Sequence, residues 1–156
     1  MATRTIQQWF DEYGESHRNE TNITVHWIAV PLIFFSVEGL LSCIPGIPVP
    51  HLGMIALVDL AVAAIFIFYM RLSLILAFGM LIFASACLGI ARWLNMHAPW
   101  PLWAICIAVF ILAWVAQFLG HNIEGKRPSF LKDMQFLLIG PAWLLAKLLK
   151  KIGVRY

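Results

Sequence analysis

The chain has 156 residues, 62% hydrophobic and only 12% charged, a balance that excludes an ordinary soluble domain of this length. One small core cannot hide that much apolar surface, whereas a bilayer solvates it. The net charge of +3 says little by itself, and its distribution along the chain says more. The expected fold class is therefore all-α: an integral membrane bundle of about four transmembrane helices, with amphipathic interfacial helices at both ends, in a single domain over residues 1–156.

Residues 1–22 are polar and amphipathic and lack the apolar core and cleavage site of a secretion signal, so the first apolar segment is expected to act as its own insertion signal. Within them, residues 5–16 place Ile6, Trp9, Phe10 and Tyr13 at helical spacing, which predicts a short helix along the interface. Segment one runs from about Ile23 to Ile44 and carries Pro31, a kink or a first turn. Residues 45–51 (PGIPVPH) predict a proline-rich turn. Segment two is expected from Leu52 to Met70, ended by Arg71, and segment three from Leu72 to Ala91, ended by Arg92. Each approaches the roughly 20 residues that cross about 30 Å of hydrocarbon. Residues 95–101 predict the next turn, with Trp93, Trp100 and Trp103 as an interfacial belt. Segment four runs from Leu102 to Leu119, and a polar stretch follows. Residues 131–151, interrupted at Gly140-Pro141, predict a second interfacial helix rather than a fifth span.

An even number of crossings returns the chain to its starting side. On that reading ten of the eleven Lys and Arg residues share the side of both termini, and only Arg92 lies opposite. The positive-inside rule then makes the termini cytoplasmic, in a bacterial inner membrane or the endoplasmic reticulum. The basic residues near the C-terminus fit anionic lipid headgroups better than nucleic acid. Cys43, Cys87 and Cys106 have no metal-type spacing and read as small apolar residues.

The same count gathers His17, His26 and His121 at one face, with Glu124 one turn beyond His121. On a continuous helix His17 and His26 would stand about 13 Å apart and face opposite sides. Binding one ion together requires a break in the chain, and HRNETN is a plausible place for it. The plainer reading is that Ser16, Asn19 and Asn22 cap two helices while the histidines face headgroups. His121 and Glu124, three apart, share a helical face, and Gln117 lies one turn earlier, able to hold a ring nitrogen or a substrate group. Nitrogen and oxygen ligands without thiolate suit Fe(II), Zn(II) or Mn(II), and spacing does not choose among them. His51 and His97 lie at the opposite face and read as structural. Glu38 and Asp59, acids inside apolar spans, are costly there and read as functional or paired with each other. The sequon Asn22-Ile23-Thr24 is expected to stay unused on the cytoplasmic side.

Two polar runs carry a family resemblance. Tyr13-x3-His17-x4-Asn22-x3-His26-x4-Pro31 and Gln117-x2-Gly120-His121-x2-Glu124-x3-Pro128 resemble the 2-hydroxy fatty acid dioxygenase family, whose yeast member acts in phytosphingosine degradation at the endoplasmic reticulum and which has bacterial relatives. The similarity extends over most of the chain; Ala29 stands where the first motif would have glycine. The resemblance implies an Fe(II)-dependent α-oxidation in which O2 and a 2-hydroxy fatty acid give CO2 and a fatty acid one carbon shorter. It implies His17, His26 and His121 as iron ligands and Glu124 as a fourth ligand or a support for one. Asn22 and Gln117 would orient ligands, Tyr13 would bond the substrate or an oxygen intermediate, and Arg18 or Arg127 would meet the substrate carboxylate.

Two rivals differ in kind. A di-iron hydroxylase or desaturase needs clustered HxxH patterns, which the chain lacks. A small transporter or membrane scaffold would instead depend on Glu38 and Asp59.

Overall fold

The computed structural model describes residues 4–50, 53–127 and 135–156. His51, Pro128 and the start of the predicted C-terminal helix (131–134) lie outside the described residues. Helix α1 (Ile6–Gly14) opens with a reciprocal cap: Thr5 accepts from the Gln8 backbone, and the Gln8 side chain accepts from the Thr5 N–H. Helix α2 (Glu20–Ser42) is capped by Asn19, whose side chain accepts from the Thr21 and Asn22 N–H groups, and it continues through Pro31. The break between the two helices falls at residues 15–19, so it overlaps the expected HRNETN stretch at 17–19, whereas residues 20–22 already belong to α2.

The proline-rich segment is not a bare turn. It forms a two-stranded antiparallel hairpin, β1 (Ile47–Val49) with β2 (Gly53–Ile55). Pro48 is tolerated there because a two-stranded hairpin consists of edges. The hairpin takes residues that segment two was expected to use, so helix α3 covers only Leu57–Met70. Fourteen residues rise about 21 Å, short of the roughly 30 Å hydrocarbon layer. Helices α4 (Leu74–His97) and α5 (Leu102–Glu124) are longer than expected. Arg92 does not end α4, because a long basic side chain near a span terminus can reach out to headgroups. The polar run after Leu119 stays helical to Glu124, where Gly125 closes the helix in the left-handed conformation (φ 72°).

Among the described residues three helices, α2, α4 and α5, are thus long and apolar enough to cross a membrane, with α3 a shorter apolar helix among them. Their directions alternate. Asp59 of α3 and Ala56 just before it lie beside Ser42, Arg92 and Leu102 at one end of the bundle, while the Tyr69 hydroxyl, near the other end of α3, donates to the Leu138 carbonyl. Antiparallel α2 and α5 form the most extensive helix pair, which brings the start of α2 to the end of α5. Trp93, Trp100 and Trp103 are exposed at the opposite end, as an aromatic belt requires.

Helix α6 (Phe136–Lys151) runs unbroken through Gly140-Pro141. It is more buried than a helix lying on a membrane surface, with Phe136, Ile139, Pro141, Trp143 and Leu144 all inside. It covers the apolar face of α1: Trp9 meets Phe136 edge-on at 5.4 Å and Tyr13 meets Trp143 at 5.3 Å. The two terminal amphipathic helices therefore bury each other across the end of the bundle where α2 begins.

If α5 crosses the bilayer, an impermeant thiol reagent applied to cysteine-free vesicles is expected to label Glu15→Cys and Lys126→Cys from one side and Trp100→Cys from the other. Labelling of positions 126 and 100 from the same side would remove the crossing.

Candidate metal centre

Each ligand-bearing side chain is placed by local backbone chemistry. The His17 Nδ1 lies 2.6 Å from the Tyr13 carbonyl oxygen, and the His26 Nδ1 lies 2.8 Å from the Asn22 carbonyl oxygen, each four residues back. A carbonyl only accepts, so both Nδ1 atoms carry the hydrogen and both Nε2 atoms of the neutral rings keep a lone pair. Those two Nε2 atoms face each other at 3.0 Å. Lone pairs at that distance repel unless a cation lies between or beside them. His121 completes the group, its ring centre 5.0 Å from that of His17 and 4.9 Å from that of His26. Among the described residues its Nδ1 is buried without a hydrogen-bond partner.

One potential ligand atom from each of the three histidines lies within 4.8 Å of the others. The three residues are 4%, 1% and 3% exposed respectively, so they are screened from bulk solvent. His97 makes the same bond from Nδ1 to a carbonyl four residues back, that of Trp93, but it is exposed and stacked on Trp93. The backbone bond alone is thus an ordinary helical habit. Three converging buried imidazoles with free lone pairs are not, and that donor set fits a divalent metal that accepts nitrogen ligands.

A proton is a poor substitute for the metal at His17. Burial, reinforced by nearby His26, pushes its pKa from 6.5 down to about 3. The ring is consequently neutral across the physiological range and ready to ligate.

Glu124, expected as a fourth ligand or a support for one, lies outside the group of converging ligand atoms, and its contacts are those of a support. Its carboxylate accepts from the backbone N–H of Arg18 (3.0 Å), the backbone N–H of Asn19 (2.8 Å) and the Asn22 side-chain amide (3.2 Å). It spans the break between α1 and α2 and holds the two helices at the angle that turns His17 toward His26. Lys126 assists by donating to the Glu15 carbonyl at 2.8 Å. Asn22 also donates to the Ser16 carbonyl and is fully buried, which leaves no access for a glycan at the sequon. Gly120 is required at this junction, because a Cβ there would lie 2.5 Å from the Asn22 Oδ1.

Tyr13 stacks on His17, with ring centres 4.0 Å apart and planes 15° from parallel. Burial holds its hydroxyl well above the usual 10.0, so it remains a neutral donor. Gln117 does not bond the Nδ1 of His121; instead it lines the adjoining cavity. Neither Arg18 nor Arg127 is brought there. Both are exposed, and Arg18 borders a separate polar groove with Asp11, Glu15, Lys147 and Lys150. This corrects the expectation of an arginine at the substrate carboxylate.

The cavity beneath the histidines holds about 330 Å³. Its wall along α2 follows the helical stripe His26, Val30, Phe34, Val37, Glu38 and Leu41, and Tyr13 of α1, His17, α3, α5 and α6 supply the remainder. Asp59 is absent from it: that side chain accepts from the Ala56 N–H at the start of α3 and is exposed. Glu38 and Asp59 therefore do not share a proton or a polar path, which takes away the basis of the transporter reading.

Sequence reasoning missed the contribution of α6. Phe136, Gly140 and Pro141 wall the cavity, and Trp143 lies 5.6 Å from the His17 ring. The available signal was the Gly-Pro pair read as an interruption. Gly140 is where the Tyr13 hydroxyl approaches most closely, 2.9 Å from where a Cβ would stand.

A family model described as 2-hydroxy-palmitic acid dioxygenase Mpo1-like matches residues 3–152. Comparisons with curated proteins and with solved structures gave no match.

Two outcomes are expected. The purified chain binds about one divalent ion, and His17→Ala, His26→Ala or His121→Ala abolishes that binding. Glu124→Ala weakens it about 10- to 100-fold by releasing the turn, as loss of a ligand's support typically does; metal titration of the four variants checks this. In the metal-free chain His17 refuses a proton that the unfolded chain accepts. The contribution of the neutral His17 ring to stability is therefore fully present above pH 6.5 and is lost as pH falls toward about 3. The melting temperature should drop through that window, less steeply in His17→Ala.

Proposed function

The chain belongs to the 2-hydroxy-palmitic acid dioxygenase Mpo1-like family, and we propose that it is an Fe(II)-dependent membrane enzyme that converts a 2-hydroxy fatty acid and O2 into CO2 and the fatty acid one carbon shorter. The observation that carries this reading is the placement of three buried, converging histidines at the head of an apolar cavity lined by α2, α3, α5 and α6. A polar head can meet the metal while an acyl tail replaces bilayer contacts with cavity contacts.

The stoichiometry asks little else of the protein. A 2-hydroxy acid plus O2 equals a shortened acid, CO2 and water, so the substrate itself supplies all the electrons that reduce O2. No reductase partner or second cofactor is needed. Bound Fe(II) would supply a chelation point for the carboxylate and 2-hydroxyl and a site for O2 activation.

The chain's own residues orient and enclose. His17, His26 and His121 hold the metal through neutral imidazoles whose tautomers the Tyr13 and Asn22 carbonyls set for the first two. Glu124 and Asn22 are positioning residues, acting through the α1–α2 turn. The neutral Tyr13 hydroxyl and the Gln117 amide are the polar groups left to bond the substrate head. Phe136, Val30 and Phe34 exclude water around the acyl chain next to it. The basic bias of the end that carries the site supports a cytoplasmic orientation.

The test loads the detergent-purified chain with Fe(II) without oxygen, adds carboxyl-labelled 2-hydroxypalmitate and then admits O2. Labelled CO2 and pentadecanoate are expected in equal amounts, with none from palmitate, which lacks the 2-hydroxyl. Oxygen uptake without labelled CO2 would sink the reading. Gln117→Ala is expected to lower turnover while leaving the metal content unchanged.

A further inference from the structure

The cavity is closed at its head and open further along α2. At the head the three histidines are buried, and α1 and α6 pack together over them. Val30 and Phe34, next along α2, line the cavity and are only 6% and 8% exposed. Lining this cavity therefore does not by itself expose a side chain. Val37 lies three turns beyond His26 on nearly the same helical face and lines the cavity too, yet it is 41% exposed. The arrangement of the neighbouring helices explains the difference. Helix α3 packs on α4 and α2, and α5 packs on α2, but among the described residues α5 makes no extensive contact with α3 or α6. Ala61 and Ile65 of α3 and Phe110 and Trp114 of α5 line the cavity from the two sides of that gap, each only half-buried. Val37 stands about 17 Å along α2 from His26, and α2 is long and apolar enough to cross a membrane. That is the depth of acyl chains, below the headgroups.

We propose that the gap between α3 and α5 is a lateral mouth through which the substrate's acyl chain enters from the bilayer, with Val37 and Ala61 at its threshold. The inference rests on the reading of the cavity as an acyl-chain site. Water is a poor route to that site, because each methylene favours hydrocarbon over water about fourfold. A long-chain 2-hydroxy acid therefore already lies in the leaflet, with its tail at the depth of Val37. Sliding sideways exchanges lipid contacts for wall contacts and never exposes the tail to water. The carboxylate and 2-hydroxyl, at the interfacial end of the same molecule, then arrive level with the histidines.

The test follows tritiated 2-hydroxypalmitate on the full-length, Fe(II)-loaded protein in lipid nanodiscs without oxygen, so that none is turned over. Equilibrium binding, corrected with empty nanodiscs, gives the dissociation constant. A chase with unlabelled acid gives the release rate, and the ratio of the two gives the association rate. Val37→Phe and Ala61→Phe should each slow association about tenfold or more while the dissociation constant stays within about threefold, as for an obstructed path to an intact site. Leu112→Phe, on the outer face of α5 in a separate groove with Val25 and Leu32, should associate like wild type. Association at the wild-type rate in either threshold variant overturns the proposal, and so does equal slowing by Leu112→Phe. A loss of affinity that comes from faster release also overturns it, since both side chains would then belong to the wall of the site. If one threshold variant fails to accumulate, the other reads the same mouth from the facing helix. A wild-type chain that binds no 2-hydroxypalmitate overturns both this inference and the acyl-site reading. One that binds it, with entry slowed in the variants, but releases no CO2 when O2 is admitted keeps the mouth and removes only the oxidation chemistry.

Discussion

Everything at the head of the cavity depends on one carboxylate that does not touch the cluster. Glu124 ends α5 and gathers the Arg18 and Asn19 N–H groups and the Asn22 amide, and so it fixes the only break between α1 and α2. Without the break, His17 and His26 would point apart. With it, their Nε2 atoms stand 3.0 Å from each other. The charge is well used there: two backbone donors at the start of α2 have no helical acceptor of their own, and the favourable end of a helix dipole faces the carboxylate. The same residue ties α5 to α2, so the clamp that sets the first two rings also sets the position of the third.

The terminal helices give this arrangement its dryness. α1 and α6 each carry an apolar face that a membrane surface could have covered, and each covers the other instead. The result is a lid of Trp9, Tyr13, Phe136 and Trp143 over three imidazoles. Burial in turn keeps His17 unprotonated. Packing, protonation state and ligand readiness are here one fact seen at three levels.

Much of this was legible in the residues, for physical reasons. Long apolar runs report the bilayer as solvent, and the histidine convergence follows from counting direction reversals. The need for a break between His17 and His26 follows from helical geometry alone. Other features depend on tertiary choices that spacing does not encode. Glu124 and His121 share a helical face, yet one binds a turn and the other joins the ring cluster, because α2 begins beside α5 at that level. Asp59 sits in an apolar run, but its run starts at a hairpin, so it caps a helix and never enters the interior. The covering role of α6 stayed hidden because a Gly-Pro pair reads as a stop, when the glycine in fact admits the Tyr13 ring.

The order of the ligands along the chain has a consequence for biosynthesis. His17 and His26 emerge early and can reach one another as soon as α2 begins, whereas His121 and the Glu124 clamp arrive only when α5 has been made. A nascent chain therefore presents at most two imidazoles, a weak and unselective pair, until the bundle is nearly complete. A metal held by all three imidazoles would therefore be captured late, once the last long helix has brought in the third, and a loaded site would report that assembly has finished.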